Sequence, residues 1–417
     1  MIWQESVARN PLLSPLRVAA ANASVLEMPR LSGVGWLEEP QTTAYSGKTT
    51  APTVDDQGQI SLPGGPGGLS TAAYIPLMHL YTSILEAERI LTPYRSLLRL
   101  RPDPHQVHAT LTNLDASSRT PYLYYKREDQ TATRAYKLRG AFVCMARAME
   151  TQGYQRFLCV STGNHALGVL KAAEVLRPES ARIVVPVNTA KHKLQKIQSR
   201  VQDLKDQGVN ASVDLQGRNF DEARQWAMDQ SDGDYYIDPY SNPWVVAGQG
   251  TVGLELYRQV AQLLEHNQSL VEELVLISPV GGGGLLSGTA TALQLASAWD
   301  PRFQSIRVHC LGLRLAGQET RYGDAIKVKE VAQGNQMLFQ VLQIPLWPVD
   351  DTTMAEGMRF VFDDLGAMVE GPSGATCVPT LQVADYQPSC KRWVVCLLSG
   401  GNVSHFPGGT TPSVTTS

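Results

Sequence analysis

Leu274-Val275-Leu276-Ile277-Ser278 runs through Pro279-Val280 into Gly281-Gly282-Gly283-Gly284 and out along an apolar stretch from Leu285 to Leu295. A short β-rich run, a glycine turn and a long apolar segment read as strand, loop and helix in one buried unit. The same grammar recurs on both sides of it. Arg156 to Val160 leads through Ser161-Thr162-Gly163-Asn164-His165 into Ala166 to Leu176, and Trp393 to Leu398 leads into Ser399-Gly400-Gly401-Asn402. Further strands are expected at Tyr122 to Tyr125, Ile183 to Val187 and Ile306 to Leu311, and a helix where Leu77, Leu80, Ile84, Ala87 and Leu91 recur. Strands alternating with helices predict an α/β fold with parallel sheets, right-handed crossovers and ligand sites at the carboxyl ends of strands.

The chain has 417 residues, 43% of them hydrophobic, enough for a packed core and for two lobes. Its 36 basic residues against 39 acidic ones, without a long basic block, argue against a nucleic-acid or anionic-membrane surface. No apolar run approaches the roughly 18 residues needed to span a bilayer. The six cysteines form no CxxC pair, and several sit in strand-like runs, so buried reduced thiols of an intracellular protein are expected. Residues 1–70 lack a sustained period and end in Pro63-Gly64-Gly65-Pro66-Gly67-Gly68, which reads as an irregular arm. Arg9, Arg17 and Arg30 allow a mitochondrial transit segment as the alternative to a cytoplasmic protein, with Glu5 and Glu27 against it.

Glycines between a strand and a helix let backbone N–H groups approach an anion where the helix dipole favours negative charge, although a tight turn alone would also use them. No Gly-Lys-Ser/Thr follows, so this is not a Walker loop, and no GxGxxG with a following acid marks a dinucleotide site. Lys137 stands at the start of an apolar helical run containing Ala141, Phe142 and Met145. Most lysines are solvated, but one against an apolar wall gives up its proton readily and can act as a nucleophile. The hydroxyls, amide and N–H groups of Ser161 to His165 suit a carboxylate or an ordinary helix cap.

In order, Lys137-Leu138-Arg139-Gly140-Ala141, Ser161 to Ala166, Ala247-Gly248-Gln249-Gly250-Thr251, the glycine run and Leu398-Ser399-Gly400-Gly401-Asn402 resemble the threonine dehydratase and serine racemase group of fold-type II pyridoxal-phosphate enzymes. The likeness covers about four-fifths of the chain, from Thr71 to Phe406, and includes Tyr125 to Asp129 and Asn219 to Ala223. It implies two lobes, each with a mostly parallel twisted sheet flanked by helices: a small lobe over 122–233, inserted in a large cofactor-binding lobe made of 71–121 and 234–417. It implies pyridoxal 5'-phosphate held through a Schiff base by Lys137, which would also remove the substrate Cα proton. Asn164 would serve the ring 3'-oxygen, Gly281, Gly282, Gly283, Gly284 and Leu285 the phosphate, and Ser399 the ring nitrogen. Ser161, Thr162, Gly163 and His165 would receive the carboxylate of an amino-acid substrate. A serine cannot keep the ring nitrogen protonated as an aspartate would, which favours prompt loss of a β-substituent over a long-lived carbanion. The implied reaction is β-elimination from threonine, serine or a related hydroxy amino acid by a homodimer. Replacement at the β or γ carbon, racemisation of a non-standard amino acid, and a non-catalytic scaffold are the alternatives.

Four positions depart from the group. Ala135 replaces a serine. Thr162 stands where dehydratases have alanine and racemases serine, either as an acid opposite Lys137 or as a helix cap. Gly312 takes the place of a cation-binding glutamate, so no activating metal is expected there. In Glu370-Gly371-Pro372, Gly371 separates proline from a glutamate that normally precedes it, so that acid is displaced by one residue or functionally absent.

Overall fold

The computed structural model describes residues 53–54, 59–61, 69–98, 114–231, 233–266, 271–317, 319–403 and 405–407. The irregular-arm reading of residues 1–70 lies outside these, apart from three short antiparallel strands: β1 (Thr53–Val54), β2 (Gln59–Ser61) and β3 (Leu69–Ser70). They lead into helix α1 (Thr71–Leu91), whose Leu77, Leu80, Ile84, Ala87 and Leu91 are all buried, as the helical spacing predicts.

Next come β4 (Leu114–Ala116), β5 (Leu123–Arg127), α2 (Lys137–Gln152), β6 (Arg156–Val160), α3 (Asn164–Leu176), β7 (Ser180–Val185), α4 (Lys191–Asp206), β8 (Ala211–Leu215) and α5 (Phe220–Asp229). They are followed by β9 (Tyr235–Tyr236), α6 (Pro243–His266), β10 (Glu273–Val280), α7 (Gly284–Ala298), β11 (Arg307–Leu315), α8 (Gln333–Val341), β12 (Leu346–Val349), α9 (Asp351–Leu365), α10 (Gly371–Ala375) and β13 (Arg392–Leu398). The larger sheet has the order β12-β11-β10-β13-β5-β4, parallel except for β4. The smaller one has the order β8-β7-β6-β9 and is parallel throughout.

Both sheets are covered on two faces, which is why their strands read as apolar runs rather than as alternations. In β10 and β13, Leu274, Leu276, Trp393 and Val395 join the core shared with α1, α6 and α7. Val275, Ile277, Val394 and Cys396 join a second core with Met354 and Val361 of α9. In the small sheet, Cys159 and Ile183 face the first core, while Leu158 and Val184 meet Ala223 and Ala227 of α5.

Two strands correct the sequence-derived lobe boundary. β5, assigned from sequence to the inserted segment 122–233, pairs with β13 in the large sheet, and β9, just outside that segment, pairs with β6 in the small one. Parallel partners are set by crossovers, not by local sequence, so the boundary at 122 and 233 misplaced both. The small sheet spans Arg156 to Tyr236.

Helix α2 is held to β5 and α6 by a buried charge cluster. Arg139 Nε and Nη2 donate to Glu128 at 2.7 and 2.8 Å, while Nη1 and Nη2 donate to Glu255 at 2.8 and 2.9 Å. Lys126 Nζ donates to Glu255 at 2.7 Å. Lys126, Glu128 and Arg139 are fully buried, and the two cations outweigh the burial of Glu255, holding its carboxyl well below the usual range. Removing one member leaves an uncompensated buried charge, so Arg139→Met should cost about 3–5 kcal/mol in urea unfolding. A loss below about 1 kcal/mol would mean that the cluster behaves as a surface pair.

Candidate functional site

The first residue of α2 is Lys137, and its ammonium donates to Pro239 O at 2.8 Å. It lies 5.3 Å from the Tyr136 ring centroid and 5.2 Å from that of Tyr240. Burial lowers its pKa to about 8, against an opposing pull from Asp238. Asp238 also shapes the loop, accepting from the backbone N–H groups of Tyr240 and Ser241 at 2.8 and 2.7 Å. That turn aims the Pro239 carbonyl at the lysine.

Tyr240 connects the lysine to the glycine loop. A Cβ on Gly282 would lie 2.4 Å from the Tyr240 ring, so position 282 admits only glycine without rearrangement. Gly283 has φ +92°, a left-handed conformation that turns the chain from β10 into α7. Asn335 secures the loop by donating to Gly282 O at 2.7 Å and Tyr240 O at 3.0 Å. The first turn of α7 carries no acidic residue and has backbone N–H groups without helical acceptors.

Asn164 opens α3, after β6 and the loop from Ser161 to Gly163. Its Nδ2 donates to Glu370 Oε1 at 2.8 Å, and its Oδ1 accepts from Asn402 Nδ2 at 2.8 Å. Glu370 thus brings a carboxylate to Asn164, with burial raising its pKa. Asn402 also donates to Thr133 O and accepts from Lys196 Nζ.

Ser399 directly follows β13, its Oγ 3.0 Å from Ser373 Oγ, and its carbonyl accepts from Tyr136 N–H at 3.0 Å. The adjacent bridge between Ala135 and Gly400 fixes the approach to Lys137 from the other side. Tyr240 and Asn335 thus tie the surroundings of Lys137 to the glycine loop, and the backbone of Ala135 and Tyr136 ties them to Gly400 and Ser399. Asn164 is held to Glu370 and Asn402 through its side chain.

Two expected roles change. His165 is buried, its Nε2 is 3.0 Å from Ile237 O, and burial together with the Lys137 charge lowers its pKa to about 4. Its imidazole is a neutral core group, so only its backbone N–H can contribute to a carboxylate site. Thr162 does not cap α3, because the N-cap is Gly163 with no side-chain bond. At Gly312, a Cβ would meet Leu346, Val280 and Leu286 within 2.5–3.0 Å, leaving that position packed among apolar groups. Tyr240, Asn335 and Lys196 carried no sequence signal, since each acts through a contact distant in the chain; Asp238 acts within its own loop, and Asn402 stood out only as the end of the Ser399-to-Asn402 motif.

The donor set fits pyridoxal phosphate: a buried amine that loses its proton near neutrality, a glycine cradle at a helix start for the phosphate, a buried hydroxyl and an oriented amide. Consistent with this, the family described as "Pyridoxal-phosphate dependent enzyme" matches residues 107–400. The biosynthetic L-threonine dehydratase of Lactococcus lactis is 30% identical over 294 residues, 67% of this chain and 66% of that protein. The Escherichia coli one is 32% identical over 295 residues, 67% of this chain and 52% of that protein. The chain thus spans between half and two-thirds of these relatives' length. In fold, it is similar to the processed form of tomato threonine deaminase isoform 2 (TM-score 0.62, 23% identity, 85% of this chain and 96% of that one). It is also similar to maize serine racemase (TM-score 0.59, 22% identity, 77% and 93%).

The Lys137 environment sets a pH dependence. The cofactor-free protein should capture pyridoxal phosphate covalently at a rate that rises with pH to a plateau, with its midpoint at about 8. Borohydride trapping and peptide mapping would read the rate at Lys137, and a midpoint near the ordinary lysine value of about 10.4 would contradict the buried-amine geometry.

The chain belongs to the pyridoxal-phosphate dependent enzyme family.

Proposed function

We propose that this member of the pyridoxal-phosphate dependent enzymes catalyses β-elimination of L-threonine, L-serine or a related hydroxy amino acid, yielding a 2-oxo acid and ammonia. The observation that carries the reading is the Lys137 amine: buried, hydrogen-bonded to the Pro239 carbonyl, poised near pKa 8 and flanked by the Tyr136 and Tyr240 rings. The names of the threonine dehydratase relatives support the same reaction.

Bound at this site, the cofactor supplies an electron sink for the pair released at the substrate Cα. The chain's residues supply the rest. N–H groups at the start of α3, with the loop Ser161-Thr162-Gly163, hold the substrate carboxylate where the helix dipole favours an anion. Lys137 Nζ accepts the Cα proton, close to the working pH for a general base. The β-hydroxyl then leaves with a proton as water, and hydrolysis of the resulting enamine gives the 2-oxo acid and ammonia. Ser399 offers a hydroxyl rather than a charge at the ring nitrogen, and its own partner Ser373 fixes its direction.

Thr162 keeps a second reading, racemisation, in play: with Gly163 as N-cap, its hydroxyl is not spent on helix capping. A homodimer in the cytoplasm completes the proposal. In support, all six cysteines are free thiols, five of them buried, and twofold dimers are the commonest soluble assemblies. Among the described residues no helix is long and apolar enough to cross a membrane.

The test is 2-oxo acid release from L-threonine and L-serine by the cofactor-loaded protein. Lys137→Ala should lower turnover at least ~10³-fold, the scale expected when a catalytic base and covalent anchor are lost together. Undiminished turnover in that variant would exclude the lysine as base. D-serine formation that disappears in Thr162→Ala would establish racemisation, whereas unchanged racemisation would remove Thr162 from the chemistry.

A further inference from the structure

Gln249, in the third position of Ala247-Gly248-Gln249-Gly250-Thr251, is 1% exposed, yet neither Nε2 nor Oε1 has a hydrogen-bond partner. Among the described residues it alone leaves both ends of a buried side-chain amide unpaired. Buried amides are almost always satisfied, and an unpaired one points to a partner not yet accounted for. The unpaired Ser287, Thr289, Thr291 and Ser297 hydroxyls of α7 differ, because a helical hydroxyl can turn to the carbonyl four residues back. The amide of Gln249 reaches away from its own helix.

Its position says what it reaches toward. Gln249 Cγ lies 3.2 Å from where a Cβ on Gly140 would stand, one turn beyond Lys137, and its Oε1 lies 3.0 Å from the corresponding point on Gly284. The amide is thus wedged between α2, which begins with the cofactor lysine, and the first residue of α7, where the glycine loop ends. At that end the helix offers free N–H groups and no acidic side chain. Rotation about the last side-chain bond exchanges Oε1 and Nε2, so an anion at this place selects the donor.

We propose that Gln249 is a further phosphate-binding residue, its Nε2 donating to the cofactor phosphate beside the N–H groups of the glycine loop. The inference rests on the cofactor, not on the elimination reaction, so failure of the activity assay would leave it standing.

The test compares equilibrium binding of pyridoxal phosphate and of pyridoxal, which lacks the phosphate, to the cofactor-free protein. Gln249→Met keeps the length and removes the donor. It should weaken pyridoxal phosphate roughly ten- to hundredfold, the range for a lost hydrogen bond to a charged group, and leave pyridoxal unchanged. Gln249→Glu adds a carboxylate facing the phosphate. Its affinity for pyridoxal phosphate relative to pyridoxal should fall below that of the Met variant at neutral pH and recover as acidification protonates the side chain into a donor. Equal weakening of both ligands in the variants would reduce Gln249 to a structural role. Unchanged binding of both ligands would overturn the proposal outright. Should Gln249→Met fail to fold, the pH dependence of the Glu variant carries the same decision: a phosphate-specific recovery supports the contact and a parallel change in both ligands refutes it.

Discussion

The cluster of Lys126, Glu128, Arg139 and Glu255 orients the helix that carries the reactive lysine. Two cations and two carboxylates balance there, with Lys126, Glu128 and Arg139 fully buried and Glu255 partly exposed, and each carboxylate meets Arg139 through two nitrogens. Desolvation makes such a group a poor source of net stability but an exacting source of orientation, because misaligned members are buried charges without partners. Arg139 follows Lys137 by two residues, about 200° around a helix. Clamping the arginine to β5 and α6 therefore turns the lysine to the opposite side, toward Pro239 and Tyr240. The rotational setting of α2 is fixed by charges that never touch substrate.

A second constraint sets distance rather than rotation. Gly140 of α2 and Gly248 of α6 pack backbone to backbone: a Cβ on Gly248 would stand 2.8 Å from Gly140 Cα. Gly288 of α7 packs in the same manner on Gly250, and Gly253 on Thr289 O. Helix α6 is thus a spacer whose glycines hold α2 on one side and α7 on the other. The lysine that opens α2 and the loop that opens α7 face one cleft because both helices rest on it at close range. Gln249, amid these glycines, is placed to sense both neighbours.

How much of this the sequence discloses depends on the range of the interaction. β6, β10 and β13 were legible because strands buried on two faces become continuous apolar runs, and α1 because its buried face repeats at helical spacing. β9 and β12, two and four residues long, carry too little pattern to register. β5 was found as a strand but given to the wrong sheet, since its partner β13 lies far along the chain, with Leu123 opposite Val394. The motif residues Lys137, Asn164 and Ser399 stood out through neighbours next to them in sequence. Tyr240 and Asn335 did not, because what defines them is a partner on another element.

Glu370 shows what such distant partners accomplish. It stands directly before Gly371-Pro372, and its carboxylate accepts from Asn164 Nδ2 and from the backbone N–H of Asn402. Asn164 lies at the start of α3, which follows the small sheet's β6. Lys196 comes from α4, and Glu370 and Asn402 follow elements of the large-sheet side. Asn402 bonds to both Asn164 and Lys196, so the network fastens the two sheets' helices across the cleft. Separating the sheets would strip Asn164 of both side-chain partners at once, whereas bringing them together fixes both ends of its amide. Both ends of the Asn164 amide are therefore oriented by groups from the large-sheet side, and Glu370 supplies half of that orientation.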